Sequence, residues 1–435
     1  MAALRAQHRP GARRAAARRS RRRGLTPAPL TRHPPTNEGT LMPHTAHPDP
    51  DLGSRLAALC ERLTTARRTD LTGTAATTGF RALAPLLDFA IYNSGDTDSD
   101  PTHLNHCHDL EREAVSFFAG LFRAPERWWG CVTNNAADAT LRALHLARIR
   151  LGPAVVYHSA AAHPSVPNAA RILGLHSIAI QTTETGEMNY HHLTHELAHH
   201  RGPAAIVVAS IGTPWTDAAD DVAEIHRRLD QFAIIRRHVH SDAAGTGIPL
   251  ALTDAPPPFD LSDGADSISI SGNGVLGLPV PAGVLVTRRR HATAALTSSN
   301  RSGDLIDARG GLATIMLWHV VARLGRQGLR ERVQYGIDLA AYTEQRLHDI
   351  GWPNWRRPGA PAVVLPTPPP DVTARWTLLT DGRISRITCH PGMTYQHVDQ
   401  FVTDLAQYSV DHLRAYRSAR HAAATSDPFH SSWLR

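Results

Sequence analysis

Residues 195–199 read HELAH, the His-Glu-x-x-His spacing of a zinc hydrolase, with His195 and His199 one helical turn apart and Glu196 placed as a base. The context argues against that chemistry. Leu193 and Leu197 fall on the opposite side of the helix "YHHLTHELAHH", so both histidines should face solvent. The extended pattern would also place a histidine at 205, where Ala205 stands. A second grouping, His103, His106, Cys107 and His108, offers metal-ligand types as well, but a chain with 27 histidines produces such clusters by chance. A polar loop near a pocket mouth is the expectation there, and no metal is expected. Side-chain amine chemistry is excluded. None of the 435 positions is lysine, all 46 basic residues being arginine, so no side chain of this protein can form a Schiff base.

The elements that must position any site follow from the pattern after residue 105. Helical spacing of Leu110, Val115, Phe118 and Leu121 precedes the short strand "GCVTN", and a helix follows over 136–150. Strands "AVVYHS", "HSIAIQ", "AAIVVASIG", "RHVHSD", "DSISIS" and "GVLVTRR" are then expected, with helices at "SVPNAARILG", 190–200 and 217–233 among them. Short apolar strands separated by helices predict a mostly parallel sheet covered on both faces, with functional residues at the carboxyl ends of its strands. Past residue 305 the pattern changes to long helices through 312–347, then short strands "PAVVLP", "WTLLT" and "ISRIT", and a closing helix over 394–416. The fold class is α/β, a large domain over 88–335 and a small α+β domain over 336–435, preceded by a helical segment over 49–87.

The net charge of +7 invites a nucleic-acid reading that a local count deflates. Residues 1–48 hold ten arginines against Glu38, a local +9 that leaves the rest of the chain at −2. This stretch is read as a disordered extension, or as a start placed too early with Met42 the true one, rather than an RNA- or DNA-touching arm. Four scattered cysteines (Cys60, Cys107, Cys131, Cys389) without a CxxC pair fit a reducing cytoplasm, and no apolar run is long enough to span a membrane.

Eight collinear blocks carry a resemblance: "FAIYNSGD", "LEREAVSFFAGLF", "WGCVTN", "AHPSVPNAARIL", "ASIGTPWTDAADDVAEI", "HVHSDAAGTG", "DSISISGNGVLGLPVPAGVLV" and "IMLW". In order and spacing they resemble the pyridoxal-phosphate-dependent group II amino-acid decarboxylases, most closely bacterial histidine decarboxylases, over residues 88–415. The resemblance implies a type I pyridoxal-phosphate-enzyme fold with a seven-stranded sheet, a homodimer with its pocket at the interface, and a small amino-acid-like ligand. It implies Asp242 beneath the cofactor's pyridine nitrogen, His163 stacked on the ring, Ala244 on the other face and Thr213 beside it. Ser271 and Asn273 belong to the attachment turn.

The departures bear on activity. The family reads Ser-Gly-His-Lys where this chain reads Ser271-Gly272-Asn273-Gly274, so the anchoring lysine is Gly274. Its phosphate-binding Thr-Asn-Gly-Gly-Thr-Glu-Gly is here "TNNAADA", with Asn135 and Ala136 for two glycines and Ala137 for a hydroxyl residue. The expectation is a decarboxylase relative whose cofactor, if held, is not held covalently, and whose ordinary decarboxylation is absent or very weak.

Overall fold

The computed structural model describes residues 51–73, 78–93, 95–96, 104–200, 202, 204–291 and 309–408. The chain divides into two compact units, Met1–Ala58 and Leu59–Arg435. In the first, the described residues 51–58 open helix α1 (Leu52–Arg67), where the Ser54 hydroxyl donates to the Asp51 carbonyl at 2.8 Å.

The second unit is built on two sheets. The larger has seven strands in the order β1 (Trp128–Thr133), β7 (Gly283–Arg288), β6 (Ser267–Ser271), β5 (Arg237–Asp242), β4 (Ala204–Ser210), β2 (Ala154–Ser159) and β3 (His176–Ile180). Strands β2 to β6 run parallel, and β7 is antiparallel to both its neighbours. The expected mostly parallel sheet is therefore present. Alternate residues of β4 enter two separate cores, Ala205, Val207 and Ala209 on one face and Ala204, Ile206 and Val208 on the other. Period-two alternation of wholly apolar side chains requires cover on both faces. Helices α2 (His108–Leu121), α3 (Ala136–Leu151), α4 (Ser165–Ile172), α5 (Tyr190–His199), α6 (Val222–Gln231) and α7 (Gly247–Ala251) fall between the strands or before β1.

The smaller sheet is antiparallel, in the order β8 (Ala362–Pro366), β10 (Ile384–Thr388), β9 (Leu379–Thr380). With α8 (Gly311–Asp349), α9 (Pro370–Arg375) and α10 (Tyr395–Ala406) it encloses its own core around Trp376, Phe401, Leu339 and Val363. Leu71, far earlier in the chain, is buried in that core and bonds through its backbone to Thr377 and Thr388.

Several boundaries depart from expectation. The helix expected from 217 begins at Val222, because Asp221 caps it by accepting the Glu224 N–H at 2.8 Å, while Asp220 is consumed by the N–H groups of Met188 and Ser210. The strand "WTLLT" shrinks to Leu379–Thr380, Trp376 being drawn into the small core instead. The long helices are one element, α8, broken by a left-handed turn at Gly325 (φ 56°). Within 49–87, α1 is joined by a 3₁₀ helix, Arg81–Asp88. The closing helix is helical to Ala406, and its expected remainder past residue 408 lies outside the described residues, as does the arginine-rich stretch.

Candidate functional site

The carboxyl ends of β1, β2, β4, β5 and β6 surround one cavity of about 500 Å³. All ten residues singled out from the sequence line it: Asn135, Ala136, Ala137, His163, Thr213, Asp242, Ala244, Ser271, Asn273 and Gly274. Convergence from five strand ends explains why residues far apart in the chain share one space.

Each is held by local geometry. Asp242 ends β5 and is buried. Burial pushes its carboxyl above the usual range, against the charge of His163, the Ala244 N–H and the Ser269 hydroxyl, which favour ionisation. His163 accepts the Ser165 N–H on Nδ1 at 3.2 Å and pairs with the Ser165 hydroxyl at 2.7 Å. Thr213 is buried, its hydroxyl accepting the Ala218 N–H at 3.1 Å and pairing with Thr216 at 2.7 Å. Ser271 accepts the Asn273 N–H at 3.2 Å.

At the other wall α3 begins. Asn135 caps it by accepting the Asp138 N–H at 2.9 Å, and Asp138 accepts the Asn134 N–H in return at 3.0 Å. The N–H groups of Ala136 and Ala137 have no partner among the described residues and open the helix beside the cavity. Asn135 is thus a cap through its Oδ1, which leaves its Nδ2 amide as a donor. Gly283 lies against this corner so closely that a Cβ there would meet the Asn135 carbonyl at 2.5 Å.

Gly274 has φ +63°, a conformation suited to glycine, and a Cβ built on it meets nothing within 4 Å. The position where the resemblance leads one to expect an anchoring lysine therefore has room for a side chain. A pyridoxal phosphate would be offered Asp242 for its ring nitrogen and, for its phosphate, the helix N–H groups and the buried Ser210 hydroxyl, which has no partner among the described residues. Its aldehyde is met by no amine. The ring and phosphate parts fit, and the covalent anchor does not.

Sequence reasoning missed the part of the wall that comes from the small sheet. Arg386 of β10 reaches the loop after β4, donating to Asp217 at 2.6 Å and to the Pro214 carbonyl at 2.7 Å, and both charged residues are buried cavity-lining groups. Thr72, Gly73, Leu379 and Thr388 complete that side.

The rival groupings do not form sites. In α5 the buried residues are Leu193 and Leu197, while the His195 side chain is 62% exposed and Glu196 is ringed by His192, His195 and His200. His103 lies outside the described residues. His106, Cys107 and His108 are not among the residues that line the cavity, and Cys107 and His108 are buried, with His108 beginning α2 rather than lying in a polar loop. Cys107 is buried with its thiol pushed up to about 12, first by burial, and it donates to the Gly311 carbonyl. The grouping of metal-ligand types that does come together among the described residues is His238, Asp266 and His291, with Arg150 and Arg290 nearby.

Histidines behind the cavity make stability pH-dependent. Burial holds His238 and His240 near 3, against an ordinary value of 6.5. Both groups are depressed, so the unfolded chain binds more protons, and their contribution is present above pH 6.5 and lost as pH falls toward 3. The loss should approach roughly 1.4 kcal/mol per pH unit for each histidine. Urea denaturation from neutral pH down into this window should show that slope, and glutamine at both positions should flatten it.

An open, mostly parallel sheet of this order, with a buried carboxylate at the end of β5 and a helix N-terminus lining the same strand-end cavity, defines a type I pyridoxal-phosphate-enzyme fold. Solved structures of that class superpose on it: L-methionine decarboxylase from Streptomyces sp. 590 at TM-score 0.74 and 19% identity (83% of this chain, 95% of that one), and glutamate decarboxylase from Lactobacillus brevis at 0.67 and 18% (89% and 95%). Residues 139–351 match the model of the pyridoxal-dependent decarboxylase conserved domain. Histidine decarboxylases are similar in sequence, that of Mesorhizobium japonicum at 34% identity over 319 residues (72% of this chain, 86% of that one) and that of Acinetobacter baumannii at 30% over 335 (75% and 87%). The chain belongs to the pyridoxal-dependent decarboxylase family.

Proposed function

We propose that this histidine-decarboxylase-like protein binds a pyridoxal-phosphate-class ligand, together with an amino-acid-like molecule, reversibly and without a covalent link to its own chain, and serves a ligand-binding or regulatory role. The observation that carries this is the open, left-handed Gly274 beside an otherwise furnished cavity, in a chain without lysine. When bound in relatives, the cofactor supplies a ring that accepts the electrons released as carbon dioxide leaves. Here Asp242 would face the ring nitrogen, and the N–H groups of Ala136 and Ala137 would face the phosphate. His163, Thr213, Ala244, Ser271 and Asn273 would shape the walls.

Retention of Asp242, His163 and Thr213 supports a second reading, an authentic histidine decarboxylase working with non-covalently held cofactor. A cytoplasmic homodimer belongs to both readings; among the described residues Leu87 and Phe89 are each 67% exposed, and no helix is long and apolar enough to cross a membrane. So does the division into domains at 88 and 336.

One experiment separates them. The protein is titrated with pyridoxal phosphate by absorbance; one portion is treated with borohydride and weighed, and a separate unreduced portion is assayed for carbon dioxide release from histidine. The expected outcome is saturable binding, no added mass and no release above the blank. Release would favour the second reading, and a stoichiometric mass increase would overturn both.

A further inference from the structure

We infer that Asp217 and Arg386 form a subsite without net charge on the small-sheet wall of the cavity, selecting an amino-acid-like ligand whose side chain is neutral and carries a donor and an acceptor close together, as imidazole and carboxamide do. Resting on the ligand class proposed above, this subsite would recognise the part of the ligand that the large sheet does not.

The pair belongs to the cavity wall. Both residues are buried, and both line the space. Arg386 of β10 donates through Nη1 to the Pro214 carbonyl at 2.7 Å, through Nη2 to Asp217 Oδ1 at 2.6 Å, and through Nε to Thr388 Oγ1 at 3.3 Å. A guanidinium has five N–H donors. With three used, one hydrogen on each Nη has no partner among the described residues, and neither has Asp217 Oδ2.

The loop that carries Asp217 is fixed. Its backbone is left-handed there (φ 51°), with the Asp217 N–H donated to the Thr213 carbonyl at 3.1 Å. Such a conformation at a residue other than glycine persists where its surroundings over-determine it, and residues of this kind gather at ligand sites. A second arginine from the small domain, Arg357, donates to the Thr216 carbonyl at 3.2 Å and ties the same loop.

Charge decides what the subsite takes. The guanidinium and the carboxylate cancel, so this wall offers two donors and an acceptor without a net charge. An apolar side chain laid against it would leave those groups unpaired, which weakens binding. A carboxylate would gain Arg386 but meet Asp217, and an ammonium would gain Asp217 but meet the guanidinium. Imidazole or carboxamide satisfies both partners at once. The other titratable groups lining the cavity, Asp242 at the end of β5 and His163 just before α4, come from the large domain. In the reading above they serve the ring, and the start of α3 serves the phosphate. About 500 Å³ is room for a drug-sized ligand, which leaves the small-sheet wall to a side chain.

Four stable conjugates test this: the N-phosphopyridoxyl derivatives of histidine, glutamine, leucine and glutamate. In each a secondary amine already joins the pyridoxyl carbon to the amino acid, so no lysine is needed. Titrated by calorimetry into the unaltered protein, the histidine and glutamine conjugates should bind about tenfold or more tighter than the leucine and glutamate ones. Asp217→Gly suits the left-handed backbone and leaves Arg386 uncompensated, so the order should invert in favour of glutamate. Pairing Asp217→Gly with Arg386→Met removes both charges together, and leucine should then bind at least as well as glutamine. The paired variant decides the matter alone if a stranded guanidinium keeps the single one from folding. An order unchanged in the paired variant, or leucine or glutamate first in the unaltered protein, overturns the subsite. Equal binding of all four by the unaltered protein overturns the subsite and leaves the ligand class standing. Binding of none overturns the ligand class and the subsite with it.

Discussion

Glu111→Ala should lower the unfolding free energy by about 3–5 kcal/mol, the cost of leaving a buried charge without its partner. Glu111 has no solvent exposure. Its carboxylate accepts the Val132 N–H at 2.7 Å, Arg309 Nη1 at 2.7 Å and the Asn93 amide. Burial pushes the carboxyl above its usual range, and Arg309 and the Val132 N–H pull it back. Arg309 is buried too, and spends its other donors on the carbonyls of Asn93, Gly95 and Val132. Alanine therefore strands a guanidinium and frees a strand N–H one residue before Thr133, whose hydroxyl holds the Asn135 carbonyl at 2.8 Å. Loss of stability should come with loosening of the cavity wall built from Asn135 to Ala137. Glu111→Gln, which keeps an acceptor, should lose less. Pairing Glu111→Leu with Arg309→Met should recover much of the loss, because both charges then leave together. Urea denaturation of the unaltered protein and these variants is the check, and a loss below about 1 kcal/mol in the alanine variant would show that water or another group satisfies Arg309.

That network also marks where the sequence could and could not be read. "YNSGD" and "LEREAV" stand out as blocks, but nothing in them says that Asn93 and Glu111 meet Arg309, about 200 positions on. Strand residues were legible because a two-faced core demands unbroken apolar runs, as in "AAIVVAS", and strand-end residues followed because a parallel sheet gathers them. The Arg386–Asp217 pair was not legible. An arginine at the middle of "ISRIT" has the pattern of a solvent-facing strand position, and only the packing of the small sheet turns it toward the cavity. Asp217 adds a left-handed backbone (φ 51°) that no local rule assigns to aspartate among "TDAADD". The polar faces of β5 and β6 lay in between: His238, His240 and Asp242 against Ser267, Ser269 and Ser271 is a period-two signal readable in principle, once the β5–β6 register is known.

The same distinction between residue type and backbone governs what Gly274→Lys would do. A lysine there supplies the missing amine at a position with room for its Cβ, so covalent capture of pyridoxal phosphate should appear where the unaltered protein shows none. Left-handed φ disfavours a side chain by roughly 1–2 kcal/mol, so the turn from Ser271 to Gly274 must carry that strain or shift. Capture by the single variant should therefore need high cofactor concentration. On the phosphate side, the Ala136 and Ala137 N–H groups have no partner among the described residues, and glycine at 135 removes the side chain that caps the Asp138 N–H at a cost of only about a few tenths of a kcal/mol. The absent donor is a hydroxyl. Ala137→Thr added to Gly274→Lys should tighten binding by about tenfold or more, one hydrogen bond to a charged phosphate being worth roughly 1.5–3 kcal/mol, whereas Asn135→Gly and Ala136→Gly should add little. Borohydride-fixed mass across a cofactor titration reads this directly. Equal affinities with and without Ala137→Thr would locate the defect in the turn at 274 rather than the cup, and failure of the double variant to gain mass at saturating cofactor would mean that the lysine cannot reach the cavity. Histidine-dependent carbon dioxide release should follow only in variants that capture the cofactor, because buried Asp242 would have to stand against the ring nitrogen before the ring could accept electrons.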